Sequence, residues 1–176
     1  MRNSTYSALF QTIAGRNNLI RHRADSPRFA RIIVSVDPLQ RQVDLLEMQE
    51  TLLGRYLKPG AGEQVLVLES LQTQYRDNNG DNYQRTARGA FFLLEQKTKG
   101  GDAWALLDRT EENGEQVLAA ARKQYEDQVK VRWPVGSIVA DAVGPIGDNW
   151  YGTRFDFEII SPANAGLTYN PAAFSG

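Results

Sequence analysis

The chain has one histidine, His22, and no cysteine. Without thiols it has no disulfide scaffold, no thiolate zinc site and no cysteine nucleophile. His22 stands between Arg21 and Arg23, and neighbouring cations disfavour its protonated form. No G-x-S-x-G elbow supplies a serine for it to activate. A surface or interface role therefore fits His22 better than catalysis, which needs several convergent groups. Among the carboxylates one partial motif stands out. Asp77, Asn79 and Asp81 have the spacing that opens a calcium loop, D-x-[DN]-x-[DN]. However, Gly80 precedes Asp81 instead of following it, and Arg88 takes the twelfth position, where a bidentate Glu belongs. A polar turn held by Asx bonds accounts for the same letters. Asp141, Asp148 and Asp156 have no histidine beside them, and solvated strand faces and a turn account for them. Gly144-Pro145-Ile146-Gly147 lacks the Lys-Ser/Thr of a phosphate loop. No catalytic residue, metal or cofactor is expected.

The remaining chemistry is charge. Arg16, Arg21, Arg23, Arg28 and Arg31 cluster with only Asp25 against them. Such a cluster can meet an acidic protein partner or a phosphate backbone. It can equally be a solvated connector whose cations sit favourably beyond a helix C-terminus. Only Phe29 is close enough to offer base stacking. The net charge of the whole chain is −1, which gives it no general attraction for nucleic acid.

Elements must hold these groups in place, and 176 residues with 41% hydrophobic content suffice for one domain with a sizeable core. Tyr6, Leu9, Phe10, Ile13, Ala14 and Ile20 recur at helical spacing, with Ser4 or Thr5 as cap. Residues 29–36 read as a strand, rich in β-branched side chains. Asp37-Pro38 either starts a helix or opens a turn; the helix is favoured, with Leu39, Val43, Leu46 and Leu53 in line. Residues 64–71 read as a strand with Val65, Val67 and Glu69 on one face and Leu66 and Leu68 on the other. A polar turn follows, then a long strand over 83–96 with 90–94 buried. Asp102 caps a long helix with Trp104, Leu107, Val117, Leu118, Ala121 and Tyr125 inward, and Asn113-Gly114 can split it. Residues 135–143 and 150–160 close the domain as a hairpin, with Tyr151, Phe155, Phe157 and Ile159 alternating against polar residues. Hairpins outnumber β-α-β crossovers. The fold class is therefore α+β: a mostly antiparallel sheet packed against an N-terminal helix and a long central helix. No apolar run approaches the ~20 residues of a membrane helix. The first eighteen residues lack the apolar core of a secretory signal.

Residues 161–176 form an extended C-terminal arm beyond the domain of residues 1–160. They contain no charged residue, and Pro162 and Pro171 keep them out of a helix. An uncharged segment too short for its own core needs a surface to lie on. Draped over a neighbouring subunit, it would use Tyr169 and Phe174 as anchors, beside Leu167.

The order of elements resembles a virion protein of tailed bacteriophages. The resemblance is carried by the opening helix with Leu9-Phe10-Gln11-Thr12-Ile13-Ala14, the strands around LVLESL (66–71) and GAFFLLEQ (89–96), the long helix, and the closing GPIGDNWYGTRFDFEI (144–159). The nearest group is the tail terminator, or tail completion, family or its counterpart in phage-like contractile particles. The resemblance covers most of residues 1–160. It implies a small α+β subunit without an active site, forming a homohexameric ring that caps the tail tube and binds the head–tail connector. It implies assembly in the bacterial cytoplasm into a virion, and leaves open whether DNA passes through the ring, where it would not be bound specifically. The arm after Ile160 has no place in that pattern, which leaves another neck or tube component open. Around a ring, Trp150, Tyr151, Arg154, Leu167, Tyr169 and Phe174 would supply one contact surface. Arg21, Arg23, Arg28, Arg85 and Arg88 would supply the other. Two further alternatives are a cytoplasmic enzyme using carboxylates, or a ligand-binding module with Trp104, Trp133 or Trp150 lining its pocket.

Overall fold

The computed structural model describes residues 1–35, 37–77, 82–125, 131–147 and 149–173, leaving aside the side chains at 38, 41, 42 and 45. The Asp77–Asn82 turn thus lies largely outside the described residues, as do Asp148 and Phe174. The fold is α+β. Its strands are β1 (Phe29–Ile32), β2 (Gln64–Glu69), β3 (Gln72–Asp77), β4 (Tyr83–Gln96), β5 (Val139–Ile146) and β6 (Trp150–Pro162). They form one sheet in the order β1-β2-β4-β6-β5, with β3 also against β4. Only β1 runs parallel to its neighbour; the other pairings are antiparallel.

β4 and β6 form the spine, paired without interruption from Gln84↔Pro162 to Gln96↔Trp150. On the other side of β4, the strand expected over residues 64–71 ends at Glu69 and restarts as β3. Between Leu68↔Phe91 and Gln72↔Arg88, four steps along one strand face three along the other. This bulge bends the hairpin so that β2 and β3 share one partner.

Alternation along these strands creates two unlike faces. On the first, Leu66, Leu68, Phe91, Leu93, Phe155, Phe157 and Ile159 pack against helices α1 (Asn3–Arg16) and α3 (Ala103–Lys123). Tyr6 and Phe10 of α1 sit edge to face at 5.0 Å, and Phe91 stacks on Phe155 at 5.1 Å. Expected and observed caps differ at α1: the boundary residue is Arg2, with no side-chain cap, and Ser4 and Thr5 lie within the helix. Asp102 does cap α3, accepting from the Trp104 backbone N–H at 2.9 Å.

Three details of α3 depart from expectation. Trp104 is 75% exposed, and Leu106 takes the inward position. Tyr125 lies just past the helix and stacks on Trp133. Asn113-Gly114 does not split α3. Both residues are buried, and a Cβ on Gly114 would stand 2.0 Å from the Phe155 ring. The glycine is there because the sheet comes that close, which outweighs its cost of about 1 kcal/mol in a helix interior.

The second face is covered at one end only. Residues after Asp37 do form a helix, α2 (Pro38–Glu47), which continues as wide π-type turns over Met48–Tyr56. Met48, Leu53 and Leu57 pack on Val65, Val67, Phe92, Leu94 and Trp150. The 139–146 strand begins later than expected, because residues 135–137 form a 3-10 turn. The arm is not fully extended: Asn164–Leu167 make one helical turn (α4) and Pro171–Ala173 a 3-10 turn. Proline at the start of a helical turn loses no hydrogen bond, so Pro171 forbids less than the sequence pattern implied. β6 also runs past residue 160: Ser161 and Pro162 pair with Arg85 and Gln84.

Candidate functional site

Building from the residues upward, the polar groups fall into three settings. The first runs inward from the surface at Arg109 to the buried Gln64 and Glu95. Asn17 closes α1 by accepting the backbone N–H groups of Leu19 and Ile20, and its amide donates to Asn113 Oδ1 at 2.6 Å. Asn113 donates to Gln64 Oε1 at 2.6 Å, and Gln64 donates to Glu95 Oε2 at 3.3 Å. Arg109 completes the chain with Nε 3.0 Å from Glu95 Oε2 and a second bond from its terminal nitrogen. Four elements meet here and each group is answered by a neighbour, so the network binds elements together and offers nothing to a substrate.

The second setting is the charged part of the second sheet face, away from the α2 end. Arg154 Nε donates to Glu69 Oε1 at 2.9 Å, its Nη1 donates to Asp156, and its guanidinium lies 5.6 Å from the centre of the Phe92 ring. Burial alone would lower the Arg154 pKa; the Glu69 and Asp156 carboxylates outweigh it and raise it. Arg88 pairs with Glu158 directly opposite at 2.9 Å. A row of alternating charge thus crosses β2, β4 and β6, with each cation already answered within the chain.

The third setting is the connector. Arg21 and Arg23 are exposed, and Arg21 takes a left-handed backbone (φ 51°) that turns the chain after Ile20. Arg28 is tied inward, 2.6 Å from Glu63 and donating to the Ile20 carbonyl at 3.0 Å. His22 accepts the Arg28 backbone N–H on Nδ1 at 3.1 Å, and burial lowers its pKa. It is a local structural acceptor at the entry to β1.

The residues assigned to interfaces by sequence are therefore not gathered in one place. Arg21 and Arg23 face outward; Arg28, Arg88 and Arg154 are engaged in ion pairs; Arg85 donates to the Met1 carbonyl and to Thr73 Oγ1 at 3.1 Å. Trp150 is 7% exposed and belongs to the second core cluster. Tyr151 is half-buried with Lys97 5.9 Å over its ring. Leu167 (47%) and Tyr169 (72%) are exposed, and Phe174 lies outside the described residues.

The surface that sequence reasoning did not assign is α2. Leu39 is 76% exposed, and Val43 and Leu46, one and two turns further on, are also exposed. The stripe runs into a groove between the π-type turns and the β5–β6 hairpin, lined by Leu46, Met48, Gln49, Phe92, Val143 and Ile146. The spacing of Leu39, Val43 and Leu46 was legible; that these side chains are exposed was not. Among the described residues three strands also have an unpaired side, since β1 pairs only with β2, β3 only with β4 and β5 only with β6. Among the described residues there is no group of three His, Asp or Glu placed to hold a metal ion, and no helix long and apolar enough to cross a membrane. No protein-family profile matches this chain, and no curated protein matches it in sequence.

Proposed function

We propose that the chain is a structural virion subunit that closes a homohexameric ring at the end of a phage or phage-like tail tube and docks it to the neck. Its work is non-covalent: it binds copies of itself, the tube below and the connector above. The observation that supports this most is the distribution of exposed uncharged surface. The exposed α2 stripe and the β5 edge beside it lie toward one end of the sheet, and the uncharged arm leaves β6 at the other. Ring closure requires two unlike surfaces on each copy, because a heterologous contact repeats head to tail until it closes. A solitary protein has little use for an apolar helix stripe in water, and such patches mark interaction sites. The exposed Arg21 and Arg23 suit an acidic protein neighbour, and the near-neutral net charge suits a lumen through which DNA slides without being gripped.

Size-exclusion chromatography with light scattering, followed by negative-stain imaging alone and with tail tubes, tests the proposal. The expected result is a species near six copies with a central hole, formed alone or on the tube end. A chain that stays monomeric in both settings and binds no tube overturns it.

A further inference from the structure

We infer, building on the assembly reading above, that the groove between α2 and the β5–β6 hairpin receives the C-terminal arm of a second copy of this chain, with Leu167 and Tyr169 as the inserted side chains. Three observations carry this. The first is charge. Leu46, Met48, Gln49, Phe92, Val143 and Ile146 line the groove, and none is ionisable. Residues 161–176 contain no ionisable charge carrier of the Asp, Glu, Lys or Arg type. The other broad surfaces, the charged row on the sheet and the arginine connector, would have to shed water from ions to take an uncharged segment, which is costly.

The second observation is exposure at both ends of the proposed contact. The α2 stripe and Leu167 and Tyr169 are all solvent-exposed in the single chain. The groove also borders β5 (Val139–Ile146), which among the described residues pairs only with β6. An extended segment lying there can hydrogen-bond to that edge while alternate side chains enter the groove, the usual logic of strand addition.

The third is reach, which decides between the arm's own groove and a neighbour's. The groove's centre is level with Gly152, the partner of Val143. The arm departs from the far end of the same strand, after Pro162. From Gly152 to Pro162 a strand covers about 33 Å. Fully extended chain from Pro162 carries Leu167 at most about 18 Å and Tyr169 about 25 Å. Neither reaches home, so the contact forms between copies. Donor and acceptor sit at opposite ends of the sheet, which makes the contact head-to-tail.

The absence of native cysteine makes the test clean. Single variants Leu46→Cys and Leu167→Cys, both at exposed positions, are mixed under mild oxidation, with Trp104→Cys plus Leu167→Cys as the control pair; circular dichroism checks the fold of each. The expected yield of Leu46–Leu167 heterodimer is about tenfold above the control, as local effective concentration dictates. Heterodimer at the control level overturns the inference. So does a dominant Leu46–Leu46 homodimer, which would mean that α2 pairs with another α2. Light scattering on the same samples separates the two readings. An assembled ring without the Leu46–Leu167 cross-link overturns the groove assignment alone; a chain that stays monomeric both alone and with tail tubes, without cross-link, overturns both.

Discussion

The two faces of the sheet are made by the same strands and have opposite characters. On the face under α1 and α3, Phe91, Phe155 and Phe157 stack with Tyr6 and Phe10 into a closed aromatic core. On the other face the alternate positions of β4 and β6 hold Arg88, Ala90, Asp156 and Glu158, with Phe92 and Arg154 face to face between them. Only the end near α2 is apolar. Stability is thus concentrated on one side, which leaves the other free to carry surface that a lone chain does not use. This division is the physical content of the assembly reading.

The largest blow to the comparison would come from the closed face. Phe155→Ala removes a fully buried ring between Phe91 and α3 and should cost about 4 kcal/mol in urea unfolding; a loss under about 1 kcal/mol would show that this face is not the main source of stability. On the open face, Arg154→Met leaves Glu69 buried without its cation and should cost about 3 kcal/mol. Adding Glu69→Leu should recover part of that loss, and a double variant no better than the single would contradict the pairing. Gly114→Ala sharpens the contrast through its sign. In an ordinary helix the change adds about 1 kcal/mol of stability; against the Phe155 ring it should subtract about 2 kcal/mol through overpacking. At the bottom of the scale, Leu39→Ser on α2 should move the unfolding midpoint by no more than about 0.5 kcal/mol while reducing assembly measured by light scattering. Unchanged assembly would leave the α2 stripe without a role.

pH provides a test of the connector. The folded state lowers the His22 pKa through burial, so folding favours the neutral ring. The His22 contribution is complete above its ordinary value and declines as pH falls below about 6.5. Protonation would also place an N–H on Nδ1 opposite the Arg28 N–H that it now accepts. The charged residues nearest to it along the chain are Arg21, Arg23, Asp25, Arg28 and Arg31. His22→Asn, which keeps an acceptor but does not titrate, should flatten this limb of the urea midpoint against pH; an unchanged slope would assign it to other groups.

Much of the fold was legible because period and punctuation agreed. Alternation over 64–69, 83–96 and 150–160, helical spacing over 6–14, and Asp102 as a cap each pointed to the element that formed. The misses have a common origin in tertiary contact. Asn113-Gly114 reads as a helix breaker until one knows that Phe155 occupies the space above it. Trp104 reads as core, but the inward position near the start of α3 goes to Leu106. β3 was overlooked because QTQYRD has no apolar alternation; its pairing with β4 supplies the reason for a strand there. For the surfaces, sequence identified charged and aromatic residues but could not tell which are answered within the chain. Arg28, Arg88 and Arg154 are so answered, whereas the aliphatic stripe on α2 stays bare.

The chain of amides and ions from Asn17 through Asn113, Gln64 and Glu95 to Arg109 has one more consequence. Greasy contacts tolerate sliding, since one methyl serves nearly as well as the next. A run of interlocked donors and acceptors does not: shifting α3 by a single turn would strand Gln64 and Glu95 in a dry interior with no counterpart, a fault costing several kcal/mol. The network therefore works as a key that rejects misaligned helix placements, so that every copy emerges with identical shape, as the proposed ring would require.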